Sequence, residues 1–168
     1  VMNLSHLLQT EPALLLTTAG LAGLVVGSFL NVVAHRLPIM MHREWQREAG
    51  EYLDMEPEPD PVSVNLLSPS SCCPHCSAPI RPWQNIPLLS FLLLKGNCAN
   101  CNVPISIRYP LVEILSAMLS IAVVWRFGFS TQAAAGLILT WGLIALSLID
   151  LDHQLLPDSI FFPLLWFG

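Results

Sequence analysis

The chain has 168 residues, of which 54% are hydrophobic and only 11% charged, with a formal net charge of -5. A soluble domain carries about 25% charged residues, so this composition argues against an ordinary soluble domain and for a membrane protein surrounded by lipid. The acidic balance leaves no basic patch for nucleic acid, which is excluded as a partner.

The charges are crowded into one block. Six of the seven Lys and Arg residues lie between Arg36 and Arg108, and seven of the twelve acids lie between Glu44 and Asp60. The Glu44–Asp60 cluster reads as a solvated, partly flexible segment, because MEPEPDP at 55–61 is rich in proline and acid.

In chain order, residues 1–12 form an N-terminus expected outside the cytosol, and 13–34 form an uncharged run of 22 residues. Roughly 20 such residues cross the hydrocarbon core as a helix. No Lys or Arg precedes the run, so it lacks the basic start of a secretory signal and reads as a retained first helix. A cleaved signal is the alternative. Gly23 and Gly27 have the small-xxx-small spacing that allows close helix approach, although glycine is also simply common in membrane helices. Residues 35–109 make a long polar loop. A second span is expected over 110–127, with Glu113 near one end and Arg126 near the other. Residues 128–132 make a short polar turn, 133–149 a third span, 150–159 a polar segment, and 160–168 the start of a fourth helix. Unpaired backbone groups are not tolerated in lipid, so these spans should be helical. The 35–109 loop holds nearly all the Lys and Arg, and the positive-inside rule puts it in the cytosol, with the N-terminus and the 128–132 turn periplasmic. The fold class is therefore an all-α polytopic membrane protein with a small cytosolic four-cysteine zinc-binding loop domain.

Cys73-Pro-His-Cys76 and Cys98-Ala-Asn-Cys101 are two C-x₂-C knuckles separated by 21 residues. Such pairs supply four thiolates to tetrahedral Zn²⁺. With four sulfurs the metal has no open position, so its role is structural. Two disulfides are the competing reading, disfavoured in a reducing cytosol. Cys72 reads as a bystander, and His75 is not needed as a ligand. Leu88–Leu94, between the knuckles, is either a small core or a segment lying on the bilayer surface.

Asp150, Asp152 and Asp158 follow the third span directly. Asp158 reads as a cap for the next helix. Asp150 continues an apolar helix without a polar spacer, and an ionisable group at the membrane edge is a functional candidate. Carboxyl pairs hydrolyse by trading a proton, one activating water and the other protonating the leaving amine. Asp150 and Asp152 would point roughly 200° apart on a helix, a poor dyad. Asp150 therefore needs a partner from another helix. Glu113 is the nearest candidate within the chain, unless it is a helix-end charge or a partner for Arg108. No serine-hydrolase elbow, zincin or nucleotide-binding pattern is present.

Taken together, Gly27-Ser-Phe-Leu-Asn-Val-Val-Ala-His-Arg-Leu-Pro38, the two knuckles, Asn85-Ile-Pro-Leu-Leu-Ser90, Ile107-Arg-Tyr-Pro-Leu-Val-Glu113 and Asp150-Leu-Asp-His-Gln-Leu-Leu-Pro-Asp158 resemble the type IV prepilin peptidases, in family order. The resemblance implies an inner-membrane aspartic endopeptidase that cuts the basic leader from prepilins and type II secretion pseudopilins on the cytosolic side. It also implies N-methylation of the new N-terminus from S-adenosylmethionine. It puts the first catalytic aspartate on Asp150 and the zinc ligands on Cys73, Cys76, Cys98 and Cys101. It assigns no methyltransferase residue securely. The family's second aspartate sits in a Gly-x-Gly-Asp motif that these 168 residues do not contain. The segment is therefore expected to be the N-terminal part of a longer enzyme, inactive as a peptidase by itself. The Glu44–Asp60 acids would attract the basic leader. A non-catalytic, membrane-anchored zinc-ribbon adaptor is the alternative from another functional class.

Overall fold

Four helices carry the regular structure of the described residues: α1 (Pro12–Tyr52), α2 (Arg108–Phe127), α3 (Thr131–His153) and α4 (Asp158–Phe167). The computed structural model describes residues 10–54, 65, 66, 68, 72, 73, 75–78, 94 and 96–167. The MEPEPDP stretch, the Asn85–Ser90 motif and the Leu88–Leu94 run (Leu94 apart) lie outside the described residues, as do the first nine. Among the described residues the only β pairing whose two partners are both defined is an isolated bridge between Asn97 and Pro104.

Helix α1 extends beyond the apolar 13–34 run expected as the first span. It runs 41 residues, through Pro38, to Tyr52. At 1.5 Å per residue that is about 62 Å, roughly twice the hydrocarbon thickness. The apolar 13–34 stretch is its first half. The second half is charged and continues because Arg, Glu and Gln are good helix formers. Arg47 also lies 4.0 Å from Glu44 and 3.9 Å from Glu51, at i−3 and i+4. Such exposed pairs add about 0.3–0.5 kcal/mol each. The part of the acidic cluster from Glu44 to Glu51 is thus solvated helix and not loose chain.

Helices α1 and α2 approach closely along a glycine stripe. A Cβ on Gly23 would lie 2.6 Å from Ala117 Cα and 2.9 Å from the Ser116 carbonyl oxygen. A Cβ on Gly27 would lie 2.8 Å from Glu113 Cα. Both glycines are therefore required by backbone proximity. Asn31, buried beside this seam, donates to the Gly27 carbonyl at 3.2 Å and to the Tyr109 carbonyl at 3.3 Å.

The α2–α3 hairpin follows from its turn residues. Gly128 ends α2 at φ 63, a left-handed conformation that suits glycine. Ser130 then caps α3 by accepting from the Ala133 N–H at 3.1 Å. Inside the hairpin, Trp141 Nε1 donates to Ser120 Oγ at 3.0 Å, and that hydroxyl donates to the Ser116 carbonyl at 2.7 Å. These bonds satisfy polar groups that lipid would leave unpaired.

Helix α3 ends at Gln154, which adopts φ 53 and donates its N–H to the Asp150 carbonyl at 2.9 Å. The chain then reverses, and the Pro157 carbonyl accepts from Ile160 and Phe161 to start α4. Asp158 is accordingly the first helical residue and not the cap; its charge still suits the positive end of the helix. Helix α4 returns along α3, with Leu164 seated against Gly142.

Helices α1, α2 and α3 are each long and apolar enough to cross a membrane. Leu21, Val25, Met118, Trp125 and Trp166 point outward and are exposed. In water such a surface would drive association, whereas in lipid it is the ordinary exterior. The architecture is an all-α polytopic membrane protein, with four clustered cysteines in the segment between α1 and α2.

Candidate metal centre and membrane-edge carboxylate

The two cysteine knuckles fold in the same way. The Cys73 N–H donates to the Ala78 carbonyl, and the Ser77 N–H donates to the Cys73 carbonyl. At identical offsets, the Cys98 N–H donates to the Val103 carbonyl and the Asn102 N–H to the Cys98 carbonyl. Each turn closes through one residue in the left-handed region, Ser77 at φ 53 and Asn102 at φ 55. A small polar residue and an asparagine tolerate that conformation better than bulky ones.

This folding brings the four sulfurs of Cys73, Cys76, Cys98 and Cys101 within 4.8 Å of one another. Cys73 Sγ and Cys101 Sγ are 3.8 Å apart. A tetrahedron with metal–sulfur bonds of about 2.3 Å has sulfur–sulfur edges of about 3.8 Å. The set therefore fits a tetrahedral dication and is too open for a disulfide between Cys73 and Cys101. All five cysteines are free thiols. Cys72 is exposed and outside the cluster, and His75 points to solvent.

The electrostatics favour the same conclusion. Backbone N–H groups of Cys101 and Asn100 donate to the Cys98 sulfur and hold its pKa down at about 6. Cys76 is also lowered, chiefly by the Asn100 side chain and then by the Ala78 backbone. Cys101 is hydrogen-bonded by the Val103 backbone, which lowers its pKa. Desolvation and the three neighbouring cysteines outweigh that bond and push it up to about 12. Crowded sulfurs thus share few negative charges unless a cation joins them. A dication lets all four be thiolates at once.

The cluster is tied to the helices through short links. Ile105 donates to the Gly96 carbonyl at 2.7 Å, immediately after the second knuckle. Three residues later Arg108 opens α2. On the other side, Arg36 of α1 donates to the Asn65 carbonyl at 3.0 Å.

Asp150 and Asp152 both lie on the last turn of α3, so the helix does continue and the two point apart. Asp150 is exposed and lines an open groove of about 380 Å³ between α3 and α4, with Leu139, Leu143, Ser147, Leu156 and Phe161 among its neighbours. Asp152 faces α2, where Arg108 grips it through two bonds of 2.7 Å. Glu113 is fully buried and packs against Gly27 of α1. It does not line the Asp150 groove, and Arg108 takes Asp152 instead. Glu113 and Asp150 therefore do not share that groove. The Arg108–Asp152 bridge was not legible in the sequence, because the two residues are 44 positions apart. The available signal was an Arg at the start of one helix and an Asp at the end of the next.

Known proteins resemble this chain closely. The family described as Bacterial Peptidase A24 N-terminal domain matches residues 21–127. A prepilin leader peptidase/N-methyltransferase of Stutzerimonas stutzeri is 56% identical over 96% of the chain and 56% of its own length. The protein of the same name from Pseudomonas aeruginosa is 56% identical over 99% of the chain and 58% of its own length. That from Neisseria gonorrhoeae is 52% identical over 89% of the chain and 53% of its own length. The chain thus spans somewhat over half the length of these relatives. No solved structure matches it. With its membrane helices and paired cysteine knuckles, the chain belongs to the bacterial peptidase A24 family, over the N-terminal domain of that family and the residues that follow it.

Proposed function

We propose that these residues form the metal-binding module and the first catalytic carboxylate of an inner-membrane aspartic endopeptidase. Its substrates are prepilins and pseudopilins, from which it removes the leader. The observation that carries the reading is the position of Asp150. It is an exposed carboxylate at the end of a membrane-spanning helix, beside a groove open along α3 and α4. The segment carrying the four cysteines leads into α2, whose first residue Arg108 pairs with Asp152 on the same last turn of α3.

The residues divide the work as follows. Cys73, Cys76, Cys98 and Cys101 hold one Zn²⁺. Bound there by four thiolates, the ion would hold the two knuckles together and supply no hydrolytic chemistry. Asp150 exchanges a proton with water or with the leaving amine, in alternation with a second aspartate. That partner belongs to the Gly-x-Gly-Asp motif implied by the family. The apolar walls of the groove hold the substrate's membrane helix, with the scissile bond at the polar edge near Asp150. The α1 extension carries Glu44, Glu48 and Glu51 on exposed positions, where they attract a basic leader. The positive-inside distribution supports a cytosolic location for this end of the protein.

The names of the relatives include N-methyltransferase, and the family resemblance implies S-adenosylmethionine as the methyl donor. The α3–α4 groove and a second one around Leu16, Leu24 and Ile121 are lined almost entirely by apolar side chains. They do not suit a sulfonium nucleoside.

The test is to incubate the purified, complete gene product with a prepilin in detergent and weigh the products. Cleavage at the end of the basic leader is the expected result. An intact prepilin, with folded and metal-loaded protein, would overturn the reading.

A further inference from the structure

The Arg108–Asp152 bridge opposes two charges that their own helices disfavour. Arg108 stands in the first turn of α2, at the positive end of the helix dipole. Asp152 stands in the last turn of α3, next to unpaired carbonyls and the negative end. Neither placement helps its own helix. Across the gap each charge meets the helix end that suits it, and the two side chains meet in a fork of two bonds of 2.7 Å each. A bidentate guanidinium–carboxylate pair fixes orientation as well as distance.

The turn so held is the one that carries Asp150. Its other restraints are the buried Ile149 beside Asp150 and the Gln154 cap, a non-glycine residue in the left-handed region whose N–H donates to the Asp150 carbonyl. Such a conformation persists only when its surroundings hold it. With the bridge gone, the last turn of α3 loses its side-chain tie to α2, and the direction of Asp150 at the groove is less firmly set. The bridge also connects the cysteine module to this turn: from Ile105, paired to Gly96, through Arg108 to Asp152.

We infer that Arg108 and Asp152 are positioning residues, a two-bond clamp between α2 and α3 that aims the Asp150 carboxylate at the scissile bond. This rests on the reading of Asp150 proposed above and extends it to residues that do not touch substrate.

The experiment is leader cleavage by the complete gene product carrying Arg108→Ala, Arg108→Lys or the double exchange Arg108→Asp/Asp152→Arg. Melting temperature and zinc content are measured on the same samples. Displacing a reacting group by about 1 Å costs on the order of 100-fold in rate. Arg108→Ala should therefore lower kcat by about 10- to 100-fold, with KM changed less than about threefold. Arg108→Lys keeps the charge and loses the fork, so it should fall between. The double exchange should recover most of kcat, because each new charge also suits its own helix end. Unchanged kcat in Arg108→Ala, with active wild type, overturns the clamp while leaving the function intact. Loss of melting temperature and zinc in step with kcat for both single variants assigns the bridge to folding and also overturns it. An inactive wild type fails the functional reading itself.

Discussion

Replacing Gly23 by Ala puts one methyl group into the tightest contact between α1 and α2. The new Cβ would meet Ala117 Cα at 2.6 Å, Ser120 Oγ at 2.7 Å and the Ser116 carbonyl oxygen at 2.9 Å, where ordinary contact begins at 3.4 Å. Two of those atoms are backbone and cannot rotate away, so the helices must part by about 1 Å. Overpacking of this kind costs about 1–3 kcal/mol, and here the upper half of that range applies because three atoms clash. Alanine's better helix propensity returns up to about 1 kcal/mol. The net loss is about 2 kcal/mol, or a fall in Tm on the order of 4–8 °C for a chain of this size. Gly50→Ala is the internal control: the same helix, the same substitution, and nothing within 4 Å of the new Cβ. It should hold or raise Tm. The assay is thermal unfolding in one detergent, followed by tryptophan fluorescence. Equal shifts for the two variants would refute the contact argument, because propensity alone would then account for both.

Two further predictions concern the cysteines. Replacing Cys73 or Cys98 by Ser removes one thiolate of four. Zinc bound per chain, measured by atomic absorption after dialysis, should fall well below one, whereas Cys72→Ser should leave it unchanged. Loss of zinc only in Cys72→Ser would mean the wrong cysteines have been assigned. Zinc uptake should also release protons at pH 7. Cys101, pushed up to about 12, gives up a whole proton, while Cys98, held at about 6, is already largely thiolate and gives up little. Zinc affinity should therefore weaken with falling pH already around 7, because of Cys101, and more steeply below about 6, where Cys98 regains its proton. A pH-indicator dye that records no release on zinc addition would exclude thiolate ligation.

The sequence made some of this structure legible for specific reasons. Both knuckles could be found because metal ligation fixes cysteine spacing locally, within four residues. The hairpin turn was visible because Gly128 and Ser130 act on their own backbone. Asp150 stood out because a charge beside an apolar helix is rare. What stayed hidden depends on contacts between distant residues. The 13–34 run marked where the apolar half of α1 ends, but the helix goes on because the next residues, though polar, are also good helix formers. Glu113 looked available as a partner for Asp150 because both are near spans. Its burial against Gly27 could be seen only once α1 and α2 were packed. The pairing of Arg108 with Asp152 required the α2–α3 hairpin to close.

The central claim is that Asp150 performs the chemistry. Asp150→Asn keeps the shape of the side chain and removes its ability to exchange a proton. The decisive measurement is the single-turnover rate of leader cleavage by the complete gene product bearing this change, at wild-type zinc content and melting temperature. Its rate should fall by at least about a thousandfold. A variant that still cleaves within about tenfold of wild type would contradict the account.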